Sequence, residues 1–180
     1  VSNFNNLLKP RIVNIENVSL NNTRVTLEPL ERGFGHTLGS ALRRILLSSI
    51  VGSSVTEVSI EGVQHEYSTI EGIQEDVIDI MLNLKGISFK MNGNTSTSLS
   101  LSKTEVGPVL ASDIELKNDI EIINPNHVIA NITKDGASIN MQIVVNEGIG
   151  YSSANQRKDD ANISVGSLLI DASFSPIKKV

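Results

Sequence analysis

The clearest pattern along the chain is an apolar stripe between residues 36 and 50. Leu38, Ala41, Leu42, Ile45, Leu46 and Ser49 recur at the i, i+3, i+4, i+7 spacing that puts side chains on one face of an α-helix. Gly33, Gly35 and Gly39 crowd its start, where glycine lets the backbone turn tightly and pack closely, and Gly52 closes it. A second helix is predicted over residues 73–84. Ser68 followed by Glu71 has the form of a capping box, Glu71, Glu75 and Asp76 suit a helix N-terminus, and Lys85-Gly86 suits its end. Elsewhere the period changes to two. Ile87, Phe89 and Met91 alternate before Asn92-Gly93-Asn94, and Leu99 and Leu101 alternate after it, which predicts a hairpin. Residues 128–133 and 138–145 flank Lys134-Asp135-Gly136-Ala137 and predict a second. Val58 and Ile60, with Val63 beyond Glu61-Gly62, suggest a third, and residues 11–15 and 24–27 are weaker strand candidates. Many strands, two main helices and no alternating βαβ rhythm indicate an α+β fold with mostly antiparallel sheet. Residues 151–164 are polar and read as an exposed or mobile loop.

Composition narrows the function. The 180 residues carry 15 Lys+Arg against 20 Asp+Glu, a net charge of −5. That balance argues against a duplex-binding domain, whose footprint is basic. With no cysteine, disulfide scaffolds, thiolate zinc sites and cysteine nucleophiles are excluded. No apolar run approaches the ~18 residues of a membrane span, and no signal-peptide layout opens the chain, so a soluble intracellular protein is expected. A start at Val1 and an end at Lys178-Lys179-Val180 suggest a piece of something longer.

Catalytic motifs come up short. Gly33-x-Gly35-x-x-x-Gly39 has the wrong spacing for a dinucleotide loop, no Walker lysine follows a glycine-rich loop, and there is no G-x-S-x-G elbow. His36, His65 and His127 are far apart, without a second histidine or carboxylate at metal-ligand spacing. Glu75, Asp76 and Asp79 are accounted for by a solvated helix face and the helix dipole. The residues that stand out lie opposite the first helix's apolar stripe: Ser40, Arg43, Arg44 and Leu47. A large apolar residue beside two arginines on the polar side is the mixture found at protein–protein contacts, although single exposed leucines are also ordinary. Two readings follow: an assembly part, or a stand-alone small-molecule-binding or enzymatic domain using the glycine-rich turn with His36 and His65.

The first reading is reinforced by a resemblance. The run Leu27-Glu-Pro-Leu-Glu-Arg-Gly-Phe-Gly-His-Thr-Leu-Gly-Ser-Ala-Leu-Arg-Arg-Ile-Leu-Leu-Ser-Ser49 resembles the hallmark segment of the bacterial RNA polymerase α subunit. So do His65-Glu-Tyr-Ser-Thr-Ile-Glu-Gly-Ile-Gln-Glu-Asp-Val77 and Leu82-Asn-Leu-Lys-Gly86, with further matches at Gly107-Pro108-Val109, residues 122–127 and Asp171-Ala-Ser-Phe-Ser-Pro176. The resemblance implies a discontinuous N-terminal domain of that subunit. Residues 1–51 and 167–180 would form a dimerisation domain, and 52–166 an inserted β-rich domain. It implies a homodimer that scaffolds the β and β′ subunits of DNA-directed RNA polymerase, a nucleotidyltransferase, in the cytoplasm of a bacterium or in a plastid. Leu38, Ala41, Leu42, Ile45 and Leu46 would then face the second α chain, Arg44 and Leu47 the β subunit, and Lys85 and Ile170 the β′ subunit. No catalytic residue, cofactor or direct DNA contact is expected in this chain, the Mg²⁺ being bound by the catalytic subunit. Departures are also visible. Glu147-Gly148-Ile149-Gly150-Tyr151 stands where the family usually has Arg-Gly-Arg-Gly-Tyr, and the 155–165 loop is shorter than is common. The chain stops before the closing helix of the dimerisation domain, so weak dimerisation or aggregation of this piece is expected.

Overall fold

The computed structural model describes residues 11–117, 119–158 and 166–180, and the chain divides into two compact units, Val1–Leu46 and Leu47–Val180. In the first unit, β1 (Arg11–Ser19) and β2 (Asn22–Glu28) form an antiparallel hairpin that sets Ile15 opposite Val25 and Ile12 opposite Leu27. Gly33 takes a φ of +87°, the left-handed turn that leads into α1 (Phe34–Ser48). The helix begins two residues earlier than its periodicity suggested and ends two earlier, because Val51 already belongs to a strand. Gly52 lies inside that strand and does not close the helix. No described residue of this unit is buried.

The second unit holds β3 (Val51–Ile60), α2 (Val77–Lys85), β4 (Phe89–Met91), β5 (Ser96–Lys103) and β6 (Gly107–Leu110). It continues with a 3₁₀ turn at Ala111–Asp113, β7 (Ile114–Glu115), β8 (Ile120–Ile122), β9 (Val128–Ile132) and β10 (Ile139–Ile149). Last come β11 (Tyr151–Ser152), the one-turn α3 (Ala154–Arg157), β12 (Leu168–Leu169) and β13 (Ala172–Ser173). Among the described residues the main sheet has seven strands, in the order β7-β5-β10-β3-β4-β8 with β12 also pairing β3. Every described strand pair is antiparallel, as expected for the α+β class.

Register explains the core. Leu99, Ile143 and Val58 stand in one row across β5, β10 and β3, and Leu101, Met141 and Ile60 in another. All six are buried, while Ser98, Ser100, Gln142 and Ser59 face outward or lie at the margin, the alternation of a sheet with one covered face. Helix α2 contributes Val77, Ile80 and Leu84 to that core at i, i+3, i+7. It starts later than expected. Asp76, not Ser68, is its N-cap, accepting the Asp79 N–H at 2.7 Å. Ser68 Oγ donates to the His65 carbonyl, and Glu71 pairs with Lys134, so the Ser68/Glu71 capping box does not form. Gly86 caps the helix end with right-handed dihedrals. Its small size matters instead for proximity, since a Cβ there would stand 2.7 Å from the His127 ring, whose Nε2 bonds the Asn83 carbonyl at 2.8 Å.

Both main predicted hairpins are replaced. The Asn92-Gly93-Asn94 and Lys134-Asp135-Gly136-Ala137 turns exist, but the strands beside them pair elsewhere: β4 with β3 and β8, β5 with β10 and β7, β9 with β6, β10 with β3 and β5. After Glu61-Gly62 the chain turns without a return strand. The expected loop over 151–164 contains β11 and α3, and its residues 159–164 lie outside the described residues.

Candidate functional site

Among the described residues, α1 leaves its apolar stripe largely exposed. Leu38 and Leu46 are half-buried, Ala41 is exposed, Leu42 is 38% and Ile45 53% exposed, and α1 contains no buried residue. Arg43 and Arg44 are exposed and Leu47 is half-buried. The hairpin of the same unit exposes Ile12, Val13, Ile15, Val18 and Val25, with Leu20 at its tip wholly exposed. This amount of uncovered aliphatic surface is what an interaction face looks like before its partner is present.

A groove of about 720 Å³ opens in the second unit. One wall is α2, through Ile78, Met81, Leu82 and Lys85. The other is the segment Leu168, Leu169, Ile170 and Asp171, with Ala154, Asn155 and Lys158 at its end. Lys85 and Ile170, far apart in sequence, thus meet at one site. Lys85 is exposed on the rim and Ile170 is buried at the base. Sequence reading missed Asp171 as a charged group of this site. Its carboxylate accepts the Ala154 N–H at 2.7 Å and the Tyr151 hydroxyl. These bonds, with the positive charge of Lys85 and Arg157 nearby, hold it below the ordinary carboxylate range, and the same bond holds Tyr151 above the usual phenol range. Arg157 was also missed. From α3 it donates Nη1 to the Thr56 carbonyl at 3.1 Å and Nη2 to the Ile170 carbonyl. The Asp171 block was visible as a matching motif, but a lone arginine in a polar stretch carries no signal.

Glu147 and Ile149, which replace the arginines usual in the resembled motif, lie on β10, both exposed, with Ile149 opposite Val51. His36 belongs to the first unit and His65 to the second. The His65 Nδ1 bonds Ser68 Oγ at 3.1 Å, and Ser68 gives its proton to a backbone carbonyl, so it is not primed as a nucleophile. Among the described residues no group of three or more His, Asp or Glu could hold a metal ion, and no helix is long and apolar enough to cross a membrane.

The comparison with known families decides between the two readings. Residues 58–175, well over half of the chain, match the family described as RNA polymerase Rpb3/RpoA insert domain. The chain belongs to that family. It is an α-type subunit of RNA polymerase, and the small-molecule reading built on His36 and His65 has no support. The match runs from β3 through α2 and the groove to β13, so every element of the groove lies inside the family region.

Proposed function

We propose that this chain dimerises and serves as the platform on which the β and β′ subunits assemble into DNA-directed RNA polymerase. The observation that carries the reading is the bare first unit. An amphipathic 15-residue helix and a two-stranded hairpin, with no described residue buried, need a second surface to be stable. A second copy of the chain, facing Leu38, Ala41, Leu42, Ile45 and Leu46, supplies it. Arg44 and Leu47 on the other side of α1 contact β, and Lys85 and Ile170 in the groove contact β′. The proposed domain layout remains 1–51 with 167–180 for dimerisation and 52–166 for the insert. Catalysis, with its Mg²⁺, belongs to the larger subunits of the nucleotidyltransferase, and the complex works in the cytoplasm. Direct DNA binding is not part of this role.

The reading is tested by co-expression with tagged β. Arg44→Ala is expected to abolish β capture while the α dimer, followed by sedimentation, persists. Ile45→Asp should do the reverse and dissociate the dimer first. If β is captured equally well by the Arg44→Ala chain, the assignment of that face fails.

A further inference from the structure

The groove wall that carries Ile170 and Asp171 is not held by strand pairing alone. Strand β12 ends at Leu169, after pairing Leu168 with Val58 and Leu169 with Glu57. One more bond follows, from the Ile170 N–H to the Thr56 carbonyl at 2.9 Å. The pairing with β3 stops there and resumes on β11 only at Ala172, opposite Ser152, so between the two ladders the chain must turn Ile170 and Asp171 into the groove. The Arg157 guanidinium takes over at that point, reaching Thr56 on β3 with one nitrogen and the Ile170 carbonyl with the other. Three residues earlier, at the start of the same helical turn, the Ala154 N–H holds the Asp171 carboxylate. The one-turn helix therefore grips two successive residues of the wall, one through a backbone N–H and one through a planar fork. Asp171, so fixed, lines the groove across from Lys85 on α2.

We infer that Arg157 is the positioning residue of the groove: its bridge between the Thr56 and Ile170 carbonyls sets the Ile170–Asp171 wall against Lys85 in the geometry that receives β′. The inference rests on the groove being the β′ contact. A guanidinium is suited to the task because its donors lie in one rigid plane, whereas an ammonium at the same place is a point charge that cannot span both carbonyls in fixed geometry. On β3 the bridge engages Thr56, which lies at the irregularity between the Glu57–Val144 and Val55–Val145 pairs and is not itself a rung of the β3–β10 ladder, so its loss acts first on the wall.

The test uses the α polypeptide as the cell makes it, co-expressed first with β and then with β′. Arg157→Met is expected to leave the α dimer and β capture unchanged and to weaken β′ capture by the preformed complex about tenfold, the scale of a lost charged hydrogen bond. Arg157→Lys should weaken it less, restoring the charge but not the fork. Lys85→Ala is the reference. Equal loss of β and β′ with Arg157→Lys, which keeps charge and volume, would mean a purely structural arginine and overturn the inference. Normal β′ capture by both Arg157 variants, with Lys85→Ala impaired, overturns it while leaving the groove as the β′ site. Normal capture by Lys85→Ala overturns the β′ reading itself, and this inference with it.

Discussion

Helices α1 and α2 are both amphipathic, and both follow a turn with a positive-φ glycine, Gly33 before one and Gly72 before the other. Their fates differ. The nine residues of α2 bury Val77, Ile80 and Leu84, while the fifteen of α1 bury nothing. An apolar stripe specifies that a face must be covered, and it does not specify by what. For α2 the cover is in the same chain, in the inward rows of the sheet. For α1 and its hairpin the same type of side chain faces outward, and the proposed second copy takes the place of a core. The contrast separates stability that is internal to a chain from stability that depends on concentration.

The contrast can be broken most directly by trimming one isoleucine from each helix. Ile80→Ala should cost about 2–5 kcal/mol in denaturant unfolding, since the side chain is fully buried. Ile45→Ala should cost under about 0.5 kcal/mol in dilute, monomeric chain and show its effect only in the dimer dissociation constant. Comparable losses of monomer stability at both positions would erase the distinction between the units.

Glycines sharpen it further. A Cβ at Gly52 would stand 1.9 Å from the Phe174 carbonyl oxygen, a backbone atom with no room to retreat. Gly52→Ala should therefore destabilise by about 1–3 kcal/mol or more. At Gly39, inside α1, a Cβ meets nothing within 4 Å. Gly39→Ala should stabilise the isolated helix by about 1 kcal/mol. Melting curves of the two variants should move in opposite directions, and a loss of dimer alongside the gain at Gly39 would show that a partner backbone uses that space.

The smallest effect is electrostatic and confined to the second unit. Burial pushes Asp113 up, but its bond to Lys103 at 2.6 Å, the Leu110 N–H and the Lys103 charge outweigh that and leave the carboxyl below its ordinary 3.8. A folded value below the unfolded one contributes stability above pH 4 that disappears as pH falls through the folded value. Wild type and Asp113→Asn should differ in unfolding midpoint at pH 6 and converge only once the pH falls from 3.8 through the lower folded value. A difference constant over that range would remove the ion pair as its cause.

What the sequence showed of this molecule divides by distance along the chain. The stripe of α1, the existence of α2 and the buried alternation of β5 and β10 depend on near neighbours, and period revealed the stripe and the alternation while end signals such as Lys85-Gly86 revealed α2. Pairing did not follow. Asn92-Gly93-Asn94 and Lys134-Asp135-Gly136 mark where the chain turns, but β10 found β3 and β5, whose inward rows match its own and together make a wider covered face than a local hairpin could. Asp76 displaced Ser68 as cap because Ser68 is occupied in its own turn with His65. At the site, Lys85 and Ile170 could be singled out only through the resemblance, since each alone is an ordinary helix-end lysine or core isoleucine. Arg157 could not be found at all, because its meaning lies in two carbonyls, Thr56 on β3 and Ile170 beyond β12, that only the fold brings together.

The union of β3 with β10 has a consequence for how the chain is made. Thr56 and Val144, joined across that pair, lie 88 positions apart. At the roughly 5–20 residues added per second on a ribosome, β3 waits about 4 to 18 seconds for its central neighbour to be synthesised. Through that interval its N–H and C=O groups stand open, and the aliphatic residues of α2 have no completed sheet to lie on. The hairpin and α1, by contrast, are finished before β3 begins. The nascent chain therefore spends its growth with two kinds of unsatisfied surface, one closed when β10 is made and one left for the proposed second copy to close.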